Sequence, residues 1–304
     1  MKDSLLIVGS VAYDCIETPL DSADFILGGS ASYAALAASF FSSVKIVGVV
    51  GNDFKESDIS RLAARNIDIS ALTFDTQKPT FFWRGKYHEN FSSRETLDVR
   101  LNAFEGYMPK LGESAKKAKY VLLGNISPEI QESVLGDMEN PEFVILDTMD
   151  LWIQTANAKL RELIRRTDLL ILNDSEAKML SENRNIICAG DALLEMGAKS
   201  VIIKTGEYGA MLFHPDGFFV IPAYPVRDLR DPTGAGDSFA GARAGYIAGA
   251  GKTDFETIKL GMLAGAATSS LTVESFSCYK LEDSGLGEIN RRCQYIEKIT
   301  SIRR

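Results

Sequence analysis

The segment Asp231-Pro232-Thr233-Gly234-Ala235-Gly236-Asp237-Ser238-Phe239-Ala240-Gly241 joins a nearly bare backbone to a carboxylate in the same turn. Small residues continue behind it (Ala242, Ala244, Gly245, Ala248), and Phe239, Tyr246 and Ile247 supply apolar bulk. The pattern predicts a glycine turn opening into a buried helix. The first amides of a helix have no internal partner, and the helix dipole adds partial positive charge, so such a turn is an anion site. Asp237 alone would repel an anion. It makes sense there as a base that orients a hydroxyl attacking a bound phosphate and takes its proton. The plainer alternative is a glycine-rich turn that only packs tightly.

The segment resembles the C-terminal signature of the ribokinase-like (PfkB) family of sugar and nucleoside kinases, Asp-x-Thr-Gly-Ala-Gly-Asp-x-Phe, through Asp231, Thr233, Gly234, Ala235, Gly236, Asp237 and Phe239. The resemblance implies that Asp237 is the catalytic base and that the amides of Gly234, Ala235, Gly236 and Asp237 hold the transferring phosphoryl group. Gly28-Gly29-Ser30-Ala31-Ser32-Tyr33 resembles the N-terminal signature, where two glycines hinge under the substrate, with Tyr33 replacing the usual Asn. Asp14 takes the position that accepts hydrogen bonds from substrate hydroxyls. Asn173 and Glu176 match an Asn-x-x-Glu motif that organises Mg²⁺ and phosphate, often through water. Such oxygen ligands suit a cation that keeps its waters, and the same pair also reads as a helix N-cap. Lys204-Thr205-Gly206-Glu207-Tyr208-Gly209 is similar to the family's Thr-x-Gly-x-x-Gly turn at the ATP phosphates and ribose. Lys204 stands there for the usual Thr and can meet phosphate as a point charge. Thr233 is assigned to ATP with it. Asp231 matches a position that binds a monovalent cation such as K⁺ in some members. ATP and Mg²⁺ are the implied cofactors, and the small-residue stretch 263–273 is implied to lie beside adenine.

Around these motifs run short apolar stretches at 5–8, 44–50, 120–123, 143–146, 169–172 and 201–203, with helical patterns between them such as 30–41, 129–138 and 157–166. Strand–helix alternation of this kind predicts a three-layer α/β/α, doubly wound, mostly parallel sheet with ligands at the strands' carboxyl ends, where Asp147 and Asn173 fall. Residues 72–87 and 94–104 differ in texture. They alternate apolar with polar residues and read as antiparallel strands with one dry face, on which Arg94 and Arg100 share a side. The chain is expected to be one domain over 1–304, with a β lid from about 11–27 and 73–104. The resemblance implies that this lid closes over the substrate.

Composition narrows the partners. The 304 residues are 45% hydrophobic and 24% charged, as in ordinary globular chains. The formal net charge of −8 argues against nucleic acid and anionic membrane. Residues 5–8 are too short an apolar run for a signal peptide, and no stretch reaches the length of a membrane span. Cys15, Cys188, Cys278 and Cys293 are far apart, and with only His88 and His214 they offer no zinc constellation. Reduced thiols of a cytoplasmic protein are expected. The acceptor stays open between a sugar and a nucleoside. Phe81, Phe82, Trp83 and Tyr87, with Tyr33, would stack on a base, or would form only the lid's apolar face or a homodimer contact. Arg84, Arg94 and Arg100 would instead hold the phosphate of a phosphosugar. A non-catalytic sensor that keeps the fold is the remaining alternative, and it would have no need of Asp237.

Overall fold

The computed structural model describes residues 5–91 and 93–301. Its large sheet runs in the order Gly217–Ile221, Ala210–His214, Val201–Lys204, Leu169–Asn173, Phe143–Asp147, Tyr120–Leu123, Leu5–Val8, Val44–Val50, Ile67–Asp68. Pairing is parallel throughout except where the hairpin Ala210–His214/Gly217–Ile221 attaches to Val201–Lys204. The central strands are apolar on both faces because both are covered. Leu5, Ile7, Leu122, Ile145 and Ile171 point into a core shared with the helices Ser30–Ala38, Ala235–Ala250 and Phe255–Thr272. Leu6, Val8, Val121, Leu146 and Leu170 point into the opposite core, under Pro128–Asp137, Asn157–Ile164 and Ile186–Glu195. The three-layer, doubly wound, mostly parallel architecture expected from the alternation is present.

The helix Ala235–Ala250 is gripped on two sides. A methyl group at Gly241 would collide with the backbone of Ala34, and one at Gly245 would lie 2.6 Å from the Ala38 carbonyl oxygen. Across the other side, a methyl at Gly265 would lie 2.9 Å from the Phe239 carbonyl oxygen. Backbone therefore meets backbone along both contacts, and the helix start is fixed relative to the Ser30–Ala38 helix.

A separate four-stranded sheet, Ser22–Gly28, Ala12–Glu17, Phe81–Tyr87 and Arg94–Arg100, forms the lid. It differs from the sequence expectation in three ways. The central pair Ala12–Glu17/Phe81–Tyr87 is parallel, so the lid is mixed rather than antiparallel. Leu72–Phe74 pairs with Val44–Val50 and belongs to the large sheet. A register shift sets Arg84 opposite Asp98 but Gly85 opposite Thr96, so Leu97 is bulged out. That one extra residue reverses the facing of everything beyond it. Arg94 therefore lies over Trp83, Arg100 lies over Phe82, and the two arginines do not share a face.

Replacing Gly241 with Ala forces helix Ala235–Ala250 away from Ser30–Ala38. Chemical denaturation should show a loss of about 1–3 kcal/mol, the usual cost of overpacking. Unchanged stability would mean the contact is looser than described.

Candidate active site

Gly234 precedes the helix with φ 75°, a left-handed conformation, and the Tyr33 ring occupies the space a side chain there would need. Both features demand glycine. The helix's first internal bond runs from the Ser238 amide to the Gly234 carbonyl at 2.8 Å. The amides of Gly234, Gly236 and Asp237 donate to no backbone carbonyl within this turn. Ala235 does not fit the expected set, because its amide donates to the Pro232 carbonyl at 3.2 Å. The turn that brings Gly234 into place uses up that donor.

Lys204 ends its strand directly opposite. Its Nζ lies 3.2 Å from where a Gly236 side chain would begin, and 3.4 Å from Asp147 Oδ1. Asp147 is buried at the carboxyl end of Phe143–Asp147. The sequence marked Asp147 only as a strand end; the one available signal was a carboxylate closing an otherwise apolar run.

Carboxylates crowd this entrance. The half-buried Asp237 is pushed up to about 7 by loss of solvation and then by Asp147, against the pull of Lys204 and Arg94. Asp14 is pushed up to about 8 by burial and by Asp231 and Asp237, with Arg94 opposing. Burial raises Glu176 to about 7 against Lys204, and Asp231 to about 6 against its bonds to Thr233. For Lys204 burial acts against the charge, but Asp147, Glu176 and Asp237 outweigh it and hold the ammonium protonated.

The remaining expected residues fall as follows. The Asp14 carboxylate occupies the space above Gly28, where a methyl group would collide with it. Gly29 has φ 91° and leads into Ser30–Ala38. Tyr33 is wholly buried under Gly234 with its hydroxyl unpartnered, so it has no open face for a base and the stacking expectation is corrected. Asn173 and Glu176 form a reciprocal capping box, with Glu176 N–H to Asn173 Oδ1 at 2.9 Å and Asn173 N–H to Glu176 Oε2 at 2.7 Å. Gly206 and Gly209 have φ 60° and 107° and shape the turn after Lys204. Thr233 donates from its hydroxyl to Tyr87 Oη at 3.0 Å, tying the lid to the turn before helix Ala235–Ala250. Asp231 Oδ1 accepts the Thr233 amide at 2.9 Å, while Oδ2 is buried and unpartnered. Of the lid aromatics, Trp83 and Tyr87 pack with Ile16, Ile26 and Phe276 on the face that carries Asp14. Phe82 packs with Tyr13 on the other face, and Phe81 packs on Phe104.

A sequence model of the pfkB family carbohydrate kinases matches residues 2–283. The chain belongs to that family. It is a sugar or nucleoside kinase, a phosphotransferase with an alcohol acceptor. It is similar to a cytidine kinase of Thermococcus kodakarensis, 29% identical over 267 residues that span 85% of this chain and 93% of that protein. Among solved structures it is similar in fold to the nucleoside kinase of Methanocaldococcus jannaschii, with TM-score 0.77, 23% identity and coverage of 97% of this chain and 99% of that one. It is also similar in fold to a Vibrio cholerae fructokinase double mutant solved with fructose, ADP and potassium ion, with TM-score 0.80, 17% identity, and 96% and 98% coverage. Among the described residues no helix is long and apolar enough to cross a membrane.

The Thr233–Tyr87 bond is buried and links the lid sheet to the turn before helix Ala235–Ala250. Tyr87→Phe should cost about 1 kcal/mol by thermal or chemical denaturation, and Thr233→Val in that background should add no further loss of this bond. Additive losses would show that the two hydroxyls act separately.

Proposed function

We propose that the protein transfers the γ-phosphoryl group of ATP to the hydroxymethyl group of a nucleoside, with Asp237 as general base. The observation that carries this reading is the position of Asp237. It sits at a helix entrance with unpaired amides, between Lys204 on the large sheet and Arg94 on the lid. The acceptor hydroxyl gives its proton to Asp237 as its oxygen bonds to Pγ, and the bond from Pγ to the β-phosphate bridging oxygen breaks. The Gly234 and Gly236 amides take the charge on the equatorial oxygens, and Lys204 neutralises the nucleotide phosphates. Asp14, holding its proton near neutral pH, both donates to and accepts from sugar hydroxyls.

The donor set fits a water-clad Mg²⁺ rather than a protein cage. Among the described residues no three metal-ligating side chains converge, while Glu176 and Asp147 flank Lys204. Those two would hold the ion through its waters, and it would supply charge neutralisation on the phosphates. The orphaned, buried Asp231 Oδ2 fits a monovalent cation.

A nucleoside is favoured by Trp83. Its six-membered ring lies over Gly85, where any side chain would collide with it, and its Nε1 donates to Thr96 Oγ1 at 3.3 Å. That fixes the Trp83 ring on the lid face shared with Asp14, where it can meet a base beside the Arg94 guanidinium, which lies 5.5 Å from the ring's centroid. The relative from Thermococcus kodakarensis supports the same acceptor class. Arg94 favours a second reading, a phosphosugar, because among the described residues it forms no ion pair and its charge faces Asp237.

Three measurements test this. Asp237→Asn should lower kcat roughly 10²–10⁴-fold with ATP binding retained; wild-type turnover would remove Asp237 as the base. The base must be ionised, so kcat/KM for the acceptor should fall tenfold per pH unit below about 7, following the raised Asp237. A profile flat down to pH 5 would contradict it. Trp83→Ala should raise KM for a nucleoside roughly 3–10-fold and leave KM for ATP unchanged, whereas an unchanged acceptor KM would favour the phosphosugar.

A further inference from the structure

Gln131 is buried on the inward face of helix Pro128–Asp137, beside Ile130, Val134 and Leu135. An apolar residue would be ordinary there. Instead the side-chain amide uses both its donors, Nε2 reaching the Gly124 carbonyl at 2.8 Å and the Asp147 carbonyl at 3.0 Å. Both partners only accept, so the nitrogen end of the amide must face them. Oε1 is then left buried, with no hydrogen-bond partner among the described residues. An orphaned buried acceptor destabilises a core, and a leucine or methionine would avoid it.

The two carbonyls explain the choice. Strands Tyr120–Leu123 and Phe143–Asp147 pair in register as far as Leu123 with Leu146. Gly124 and Asp147 come next, at the carboxyl edge of the sheet, and there the Gln131 amide bridges them. From Gly124 the chain leads to Asn125, whose carbonyl accepts Ser30 Oγ at 3.3 Å and whose Oδ1 accepts Trp152 Nε1 at 3.1 Å. Ser30 follows Gly28-Gly29, the turn over which the Asp14 carboxylate lies. On the other side, Asp147 Oδ1 accepts the Thr148 amide at 3.1 Å and meets Lys204 Nζ at 3.4 Å. Gln131 thus reaches the carboxyl edge from the face of the sheet opposite helices Ser30–Ala38 and Ala235–Ala250. It joins the strand end that supports the Gly28-Gly29 turn to the strand end that supports Lys204.

We propose that Gln131 is a positioning residue whose carboxamide sets the separation of these two strand ends, and with it the alignment of the acceptor hydroxyl on the γ-phosphoryl group. The inference rests on the reading of Asp14 as the acceptor's partner and of Lys204 as the partner of the phosphates. Each end keeps local contacts of its own without Gln131, Asn125 with Ser30 and Trp152, Asp147 with Thr148 and Lys204. Each substrate therefore still binds when the bridge is removed. What is lost is their relative placement, and a misplacement of about 1 Å costs roughly 10²-fold in rate.

The test measures Tm, dissociation constants for MgATP and for the acceptor taken singly, and kcat at saturation, in Gln131→Met, Gln131→Glu, Val134→Ala and Asp237→Asn. The acceptor is whichever of cytidine, uridine, adenosine, guanosine and ribose the wild-type protein phosphorylates fastest. Gln131→Met should lower kcat roughly 10–100-fold and leave both dissociation constants within about threefold of wild type. Gln131→Glu, whose buried acid can donate only once, should fall between, and it carries the test if the Met variant does not fold. Val134 lies on the same buried face and bonds neither carbonyl, so Val134→Ala should lower Tm and keep kcat within about twofold of wild type. A glutamine that only stabilises the helix would behave as Val134 does. Wild-type kcat in the folded Gln131 variants, an equal loss of kcat in Val134→Ala, or a loss of affinity as large as the loss of kcat overturns the proposal. If Asp237→Asn still loses turnover in that case, the reading of the active site survives. Wild-type turnover in Asp237→Asn overturns both.

Discussion

At the start of helix Ala235–Ala250, free amides attract an anion while Asp237 repels one, and Lys204 sets the balance between them. Its ammonium lies against Gly236 and beside Asp147, within the field of Glu176 and Asp237. Remove that charge and Arg94 is left to offset the carboxylates at the entrance. Keep it and a phosphate can sit on the amides while a carboxylate stands close enough to take a proton. Burial first, and then the same crowding, raises the pKa values of Asp237 and Asp14, and both groups would be more acidic in water.

Steric exclusion makes that electrostatic arrangement hold still. Side chains are missing where helix Ala235–Ala250 meets its neighbours, where Asp14 crosses Gly28 and where Trp83 crosses Gly85. Each absence lets a functional group or its supporting backbone come closer than any other residue would allow. Thr233 and Tyr87 then fasten the lid to the turn before helix Ala235–Ala250. The site draws on both sheets, and its geometry depends on contacts between segments far apart in the chain.

Much of this was legible in the residues themselves. Asp231 to Phe239 form a local unit whose spacing carries its own chemistry, and the apolar runs announced buried parallel strands. What escaped was non-local. The bulge at Leu97 depends on which residues of Phe81–Tyr87 lie opposite, and no spacing within Arg94–Arg100 reveals it. Tyr33 reads as a stacking aromatic until Gly234 is found lying on its ring. The Ala235 amide looks free until Pro232 turns its carbonyl towards it. Asp147 closes an apolar run that marks it as part of a strand, and only three-dimensional proximity to Lys204 gives it a role. Asn173 and Glu176 could be read as a cap or as ligands; the cap is formed, and the Glu176 carboxyl group still lies in the field of Lys204.

The central claim is that an alcohol and a nucleotide tail meet at the Ala235–Ala250 helix entrance, with Asp237 taking the proton. Phosphorus-31 NMR of the protein with MgATP and a mixture of ribonucleosides reads the outcome directly. The account predicts a growing phosphomonoester signal split by the two protons of an attached CH₂ group, matched by ADP, and absent with Asp237→Asn. Inorganic phosphate alone, or ATP left intact with every nucleoside and sugar supplied, would contradict it.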